Sequence, residues 1–155
     1  MFVFDTSAFI NGWRHHYFPA TFPGVWTTVA AGLNDGRIMA PREVLNELQR
    51  RDDDIYEWAR SLSAAFVDPS DEVQNAVGPI YALFSRPGDR DAADPWVVAE
   101  ALTRGFAVVT YEGRTFAGPV SAKATKQKIP GVCAQLDVPC ITMAEALSEL
   151  GDVFA

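Results

Sequence analysis

Four acidic residues sit where the sequence pattern changes. Asp5 directly follows the apolar run Phe2-Val3-Phe4. Glu47 lies among Val44, Leu45 and Leu48, Asp94 precedes Pro95, and Glu112 follows Ala107-Val108-Val109-Thr110-Tyr111. Carboxylates gathered at one edge repel: two unit charges ~4 Å apart cost about 4 kcal/mol at an effective dielectric near 20. Such a cluster persists when protons or a hard divalent cation neutralise it. Mg2+ and Mn2+ take oxygen ligands and keep several waters, which suits phosphodiester hydrolysis. Each acid alone also has an ordinary role. Asp5 could cap a short helix opened by Thr6-Ser7, and Asp94 could cap the helix that Pro95 starts. Glu43 and Glu47, four residues apart, could share a solvated helix face. Glu112 alone would be only a loop acid. The weight falls on the set.

The elements that must position these acids alternate along the chain. Residues 2–4 read as a strand buried on both faces. An aromatic-rich loop over 11–24 follows, then a helix marked by Phe22, Trp26, Val29, Ala30 and Leu33 and stopped at Asn34-Asp35-Gly36. Residues 37–40 form a second strand, and Pro41 leads a helix carrying Val44, Leu45 and Leu48. Asp52, Asp53 and Asp54 fall in the first turn of the next helix, where negative charge suits the helix dipole. Phe66-Val67 is a brief strand, and Val73, Val77, Ile80 and Phe84 mark a helix. A helix from Asp94 to Gly105 leads to the strand 107–110. A short helix over 130–136, a strand over 139–141 and a terminal helix over 142–150 complete the order. Thr142 and Glu145 have capping-box spacing. This alternation specifies an α/β domain with a parallel sheet, whose strand C-terminal ends open on one edge where ligands bind.

The same residues carry a family resemblance. FDTSAFI at 4–10 resembles the opening of a PIN domain, and VLNEL at 44–48 resembles the second PIN signature, which favours Glu47 over Glu43. ADPWVVAEAL at 93–102 resembles the third signature, with Asp94 as its acid. VVTYE at 108–112 is similar to the fourth, ending in Glu112. The four occur in order over nearly the whole chain. ADPW and KIPGVC further resemble bacterial VapC-like toxins. The resemblance implies a three-layer α/β/α PIN-like domain over 1–155, with a central, mostly parallel sheet of 4–5 short strands. It implies a metal-dependent endoribonuclease acting on single-stranded RNA, the toxin of a type II toxin–antitoxin pair. Asp5, Glu47, Asp94 and Glu112 would hold one or two Mg2+ or Mn2+ ions for in-line attack of water on the phosphodiester. Thr6, Ser7 and Thr110 would orient the acids, and Asp91 could supplement Asp94. An antitoxin partner and a homodimer follow from the same resemblance. Two departures stand out. The fourth acid is Glu where many relatives carry Asp or Asn, and Thr115-Phe116 replaces an Asp-Phe pair.

Lys123, Lys126 and Lys128 are the only three lysines in the chain, and with Arg114 they form a candidate RNA-binding rim, otherwise a solvated loop. Arg50 and Arg51 could extend it. The adjacent His15 and His16 point apart and make a poor metal pair; with Trp13, Tyr17, Phe18 and Phe22 they pack a long loop or form a stacking or partner surface. Trp26 and Trp96 read as core. Cys133 and Cys140 read as buried reduced thiols.

Length and composition agree with these readings. The 155 residues fit one ordinary domain, and a hydrophobic fraction of 48% argues against disorder. No apolar run suits a membrane helix, and the start lacks a basic signal-peptide region, so the expectation is a cytoplasmic protein away from membranes. The 20 acids against 13 bases argue against binding nucleic acid by bulk positive charge. Two other readings compete: a catalytically inactive PIN-like interaction module, and a metal-dependent DNase or structure-specific nuclease. A phosphatase with an Asp5 nucleophile is disfavoured, because position 7 is Ser where such enzymes place a second Asp.

Overall fold

The computed structural model describes residues 1–84, 92–112, 114–115, 118–119 and 128–151. The first half of the chain runs β1 (Phe2–Phe4), α1 (Thr6–Asn11), a π-helical turn (Gly12–His16), α2 (Pro23–Asp35), β2 (Ile38–Pro41), α3 (Arg42–Arg51), α4 (Asp53–Arg60), a 3-10 turn (Ser63–Ala65) and β3 (Phe66–Val67). The second half adds α5 (Asp71–Tyr81), α6 (Asp94–Arg104), β4 (Ala107–Val109), β5 (Arg114–Thr115), β6 (Gly118–Pro119), α7 (Ile129–Gln135), β7 (Cys140–Ile141) and α8 (Met143–Leu150).

Five of the strands form one parallel sheet in the order β3-β2-β1-β4-β7. Helices flank it in a three-layer α/β/α arrangement: α6 packs across β1, β2 and β4, while α2 packs on β2 and α8. Val3, Phe4, Val108 and Val109 have no exposed surface, which is why these strands read as continuous apolar runs rather than as alternation. Phe9 links the sheet to its cover, with ring centroids 5.4 Å from Phe4 and 5.6 Å from Phe66. β5 and β6 form a separate antiparallel pair.

The strand order places the site. From β1 the chain moves outward through β2 to β3, then returns to the other side of β1 as β4. The order reverses between β1 and β4, and crevices at such switch points open at the strands' carboxyl ends. Phe4 pairs with Val109, and the Asp5 amide donates to the Val109 carbonyl at 3.1 Å. The register therefore sets Asp5 beside Thr110.

The sequence reading of 11–24 as a loop is corrected. Helix α1 continues through the π-helical turn, where the Tyr17 amide donates to the Gly12 carbonyl at 2.7 Å. Gly12 allows close approach: a Cβ there would stand 2.7 Å from Met143 Sδ. Trp13 packs edge-on to Trp26 at 4.9 Å and lies 5.6 Å from Trp58. Aromatic packing from distant elements, which local pattern does not reveal, holds this segment wound. The expected role of Asp94 as a helix cap is also corrected. Ala93 occupies the cap position of α6 with no side-chain capping bond, and Asp94 is already inside the helix. Trp26 is core, Trp96 is half-buried against that core, and both cysteines are thiols outside any disulfide, with Cys133 buried and Cys140 only half-buried. No helix among the described residues is long and apolar enough to cross a membrane.

Candidate active site

Asp5 is the centre of the site. It is 1% exposed and caps α1, its Oδ1 accepting the Ala8 amide at 2.7 Å. The Ser7 hydroxyl donates to both carboxylate oxygens at 2.8 and 2.9 Å, and the Thr110 hydroxyl donates to Oδ2 at 2.5 Å. Both hydroxyls are themselves held by main chain: Ser7 Oγ accepts the Tyr111 amide and Thr110 Oγ1 the Glu112 amide, each at 2.9 Å. The ends of β1 and β4 are thus stitched together around one carboxylate. The expected capping role and the expected site role of Asp5 coexist, since a cap uses only part of its acceptor capacity.

Glu47, Asp94 and Glu112 line the same cleft as Asp5, a space of about 370 Å³. Thr6, Ser7, Arg50, Arg51 and Ala92 complete its walls. Glu47 reaches in from α3, and its Oε1 accepts the Ala93 amide at 2.7 Å. That bond ties α3 to the start of α6, where Asp94 projects. Glu112 follows β4, and its Oε2 accepts the Ile129 amide in the first turn of α7 at 3.1 Å. Each glutamate is anchored through one oxygen, leaving the other for further contacts.

The electrostatics are those of crowded acids. Burial pushes the Asp5 carboxyl up to about 7, against the hydrogen bond from Thr110; the charge of Glu112 pushes it in the same direction as burial. Burial, then the charges of Glu112, Asp5 and Glu47, raise Asp94 to about 8, assisted by a hydrogen bond to Glu112. The Asp94 and Glu112 carboxyl groups hydrogen-bond each other, and the crowding favours the protonated form of Asp94. The Thr6 hydroxyl is buried and has no hydrogen-bond partner among the described residues. It borders the cleft without orienting an acid, unlike Ser7 and Thr110.

Among the described residues no group of three or more His, Cys, Asp or Glu side chains stands closed up at metal-ligating geometry. The acids converge on the cleft, where Asp5, Glu47 and Glu112 each accept a backbone amide and Asp94 hydrogen-bonds Glu112. The chemistry of the donors nevertheless suits a hard divalent cation: all are oxygens, and buried protons carry the compensation that a cation would supply. Asp5, Asp94, Glu47 and Glu112 are the residues that could hold it.

Other candidates fall elsewhere. Glu43 does not line this cleft; burial raises its carboxyl, and the charges acting on it are Asp68, Glu100 and Arg42. Lys128 is exposed at the cap of α7, one residue before the amide that holds Glu112. Asp91, Lys123, Lys126 and the Arg114 side chain lie outside the described residues. Sequence reasoning did not foresee a parallel stack of His16 on Tyr111, 4.4 Å between centroids and 10° between planes. Nor did it foresee the ion pair of Arg14 with Asp52, at 2.5 Å. The residues in each pair are far apart in sequence, and no local spacing signals them.

The fold and site define an α/β protein with an acidic cleft at the switch point of its sheet. It belongs to the family described as a domain of unknown function, DUF4411, whose model matches residues 2–154. No curated protein and no solved structure matches the chain.

Proposed function

We propose that this protein is a metal-dependent nuclease that hydrolyses phosphodiester bonds of single-stranded RNA. One observation carries the reading: the buried Asp5 and the half-buried Asp94 face Glu47 and Glu112 in one cleft, and burial together with neighbouring negative charge raises both aspartates. Crowding several acids costs stability, and strongly perturbed acids in a cleft cluster at functional sites. The PIN-like signatures FDTSAFI, VLNEL, ADPWVVAEAL and VVTYE supply the direction of that use.

Asp5, Glu47, Asp94 and Glu112 would hold one or two Mg2+ or Mn2+ ions. A bound ion supplies positive charge for the phosphoryl oxygens and makes a water more acidic. The chain's own residues do the rest. Ser7, Thr110 and the Ala8 amide fix the Asp5 carboxylate in one orientation, and such fixed donors lower the reorganisation needed during reaction. The Ala93 and Ile129 amides do the same for Glu47 and Glu112. Hydrolysis forms one P–O bond to water as one ester P–O bond breaks, and the leaving oxygen takes a proton.

The test is cleavage of a mixed single-stranded RNA pool with Mg2+ or Mn2+, set against EDTA and against Asp94→Asn. Metal-dependent cleavage lost in the variant supports the reading, and equal products in all arms reject it. A matching single-stranded DNA pool separates RNase from DNase. The toxin role, with an antitoxin as partner, extends the same resemblance. It requires that expression arrest growth and that Asp5→Asn relieve the arrest.

A further inference from the structure

A cleft floored by four acidic side chains offers no attraction to a polyanionic strand. The same cleft carries two consecutive cations, Arg50 and Arg51, in the last turn of α3. The charges are separated by depth. Asp5 is 1% exposed at the floor, whereas the Arg51 side chain is 61% exposed at the lip. Arg51 Nη1 stands 3.9 Å from Glu47 Oε2, an ion pair too long to be a hydrogen bond. A guanidinium offers five donors in a planar fork that matches phosphate oxygens bidentately. The loose contact with Glu47 leaves that fork largely unspent. We propose that Arg51, with Arg50 beside it, is the seat for a backbone phosphate of the substrate strand, flanking the phosphate that reacts over the acids.

This inference rests on the nuclease reading for the identity of the polyanion. The competing account makes both arginines counter-ions for Glu47 and for the carboxyl end of α3. That account predicts a change in stability with no change in strand binding.

The experiment uses the full-length Asp94→Asn protein and a short fluorescein-labelled single-stranded RNA oligonucleotide. Anisotropy is followed across a salt series at constant Mg2+. Asp94→Asn should bind with an affinity that falls as salt rises. Adding Arg51→Ala should weaken binding several-fold and reduce the log–log salt slope by about 0.7, the value for one lost single-strand phosphate contact. Arg51→Lys should keep the slope, because the charge remains, while losing part of the affinity. It also guards against a folding defect in the alanine variant. Arg60→Ala, whose guanidinium pairs with Glu57 on exposed surface, should leave the slope unchanged. No binding by Asp94→Asn, an unchanged slope in Arg51→Ala, or an equal loss in Arg60→Ala would each overturn the proposal. The outcome is separable from the nuclease reading. A wild-type protein that cleaves nothing, with an Arg51-dependent slope in Asp94→Asn, retains the phosphate seat and rejects the nuclease. Cleavage with an Arg51-independent slope does the reverse.

Discussion

The Thr110 hydroxyl lies between the two strands that define the site, donating to Asp5 Oδ2 at 2.5 Å while accepting the Glu112 amide at 2.9 Å. One small side chain thereby sets the positions of two acids. Thr110→Val keeps the shape and removes both bonds, leaving a buried carboxyl and an amide under-satisfied. The expected loss is about 1–3 kcal/mol of unfolding free energy, read by urea titration. Thr110→Ser should recover most of it. A Thr110→Val protein as stable as wild type would show that the hydroxyl is not needed to hold the two strand ends.

Stability should depend on pH in an unusual direction for an acid-rich protein. Asp5 and Asp94 have folded-state values raised from 3.8 to about 7 and about 8. Between the unfolded and the folded values the folded state binds more protons, so stability falls as pH rises. The contribution is fully present below about pH 4 and is lost progressively up to about pH 8. Asp94→Asn cannot ionise at this position. It should flatten the slope and raise stability near pH 8 by on the order of 2 kcal/mol. Thermal unfolding of both proteins from pH 5 to 8.5 measures the difference, and parallel curves would contradict it.

Much of this arrangement was legible in the sequence, and the reasons are physical. All five parallel strands are short apolar runs ended by turn residues, so their existence could be read locally. The placement of Asp5 and Glu112 at strand ends followed from the same pattern. What could not be read was tertiary. The turn at Gly12–His16 stays wound because Trp13 meets Trp26 and Trp58. Glu47 is oriented by a main-chain amide at Ala93, which no side-chain motif encodes. Glu43 and Glu47 are four residues apart, yet only Glu47 lines the cleft, a distinction that helical spacing alone leaves open. The acid-rich total was a poor guide to partners. Setting the four cleft acids aside leaves 16 acids against 13 bases.

Divalent cations should stabilise the protein through the cleft. A ligand that binds the folded state alone adds about 2.7 kcal/mol at a hundred times its dissociation constant. Mg2+ or Mn2+ at pH 8 should therefore raise the Tm of the wild type. The rise should be largest near pH 8, where the cation replaces protons that Asp5 and Asp94 have lost, and small near pH 5. Asp94→Asn should show little rise at either pH. Scanning fluorimetry with Mn2+, Mg2+ and a matched concentration of Na+ decides it, and identical shifts in wild type and variant would mean binding elsewhere.

Asp52 should matter for stability but not for chemistry. It is 5% exposed, its Oδ1 accepts the Asp54 and Ile55 amides at 3.1 and 3.4 Å, and its Oδ2 accepts from Arg14 Nε. It therefore fastens the π-helical turn to the start of α4. Asp52→Ala removes a cap and the partner of the half-exposed Arg14, an expected cost of about 1–2 kcal/mol. Asp52→Asn keeps the cap and should cost less. The urea midpoints of the two variants supply the comparison, and equal losses would assign the whole effect to the charge pair.

The two glutamates of α3 give the sharpest separation of site from surroundings. Glu47 lines the cleft with Asp94, whereas Glu43 faces Asp68 and Glu100. If the nuclease reading holds, Glu47→Gln should lower RNA cleavage about a hundredfold or more, the equivalent of roughly 2.7 kcal/mol in the barrier. Gln retains the acceptor oxygen for the Ala93 amide, so the fold should survive and the loss would report charge rather than shape. Glu43→Gln should leave cleavage within about twofold of wild type. Its raised carboxyl means that ionisation there opposes folding, so the substitution should maintain or increase stability at pH values where the glutamate is ionised. Cleavage rates and melting curves for the pair test both halves. Equal loss of cleavage in the two variants would place Glu43 in the site and redraw the cleft.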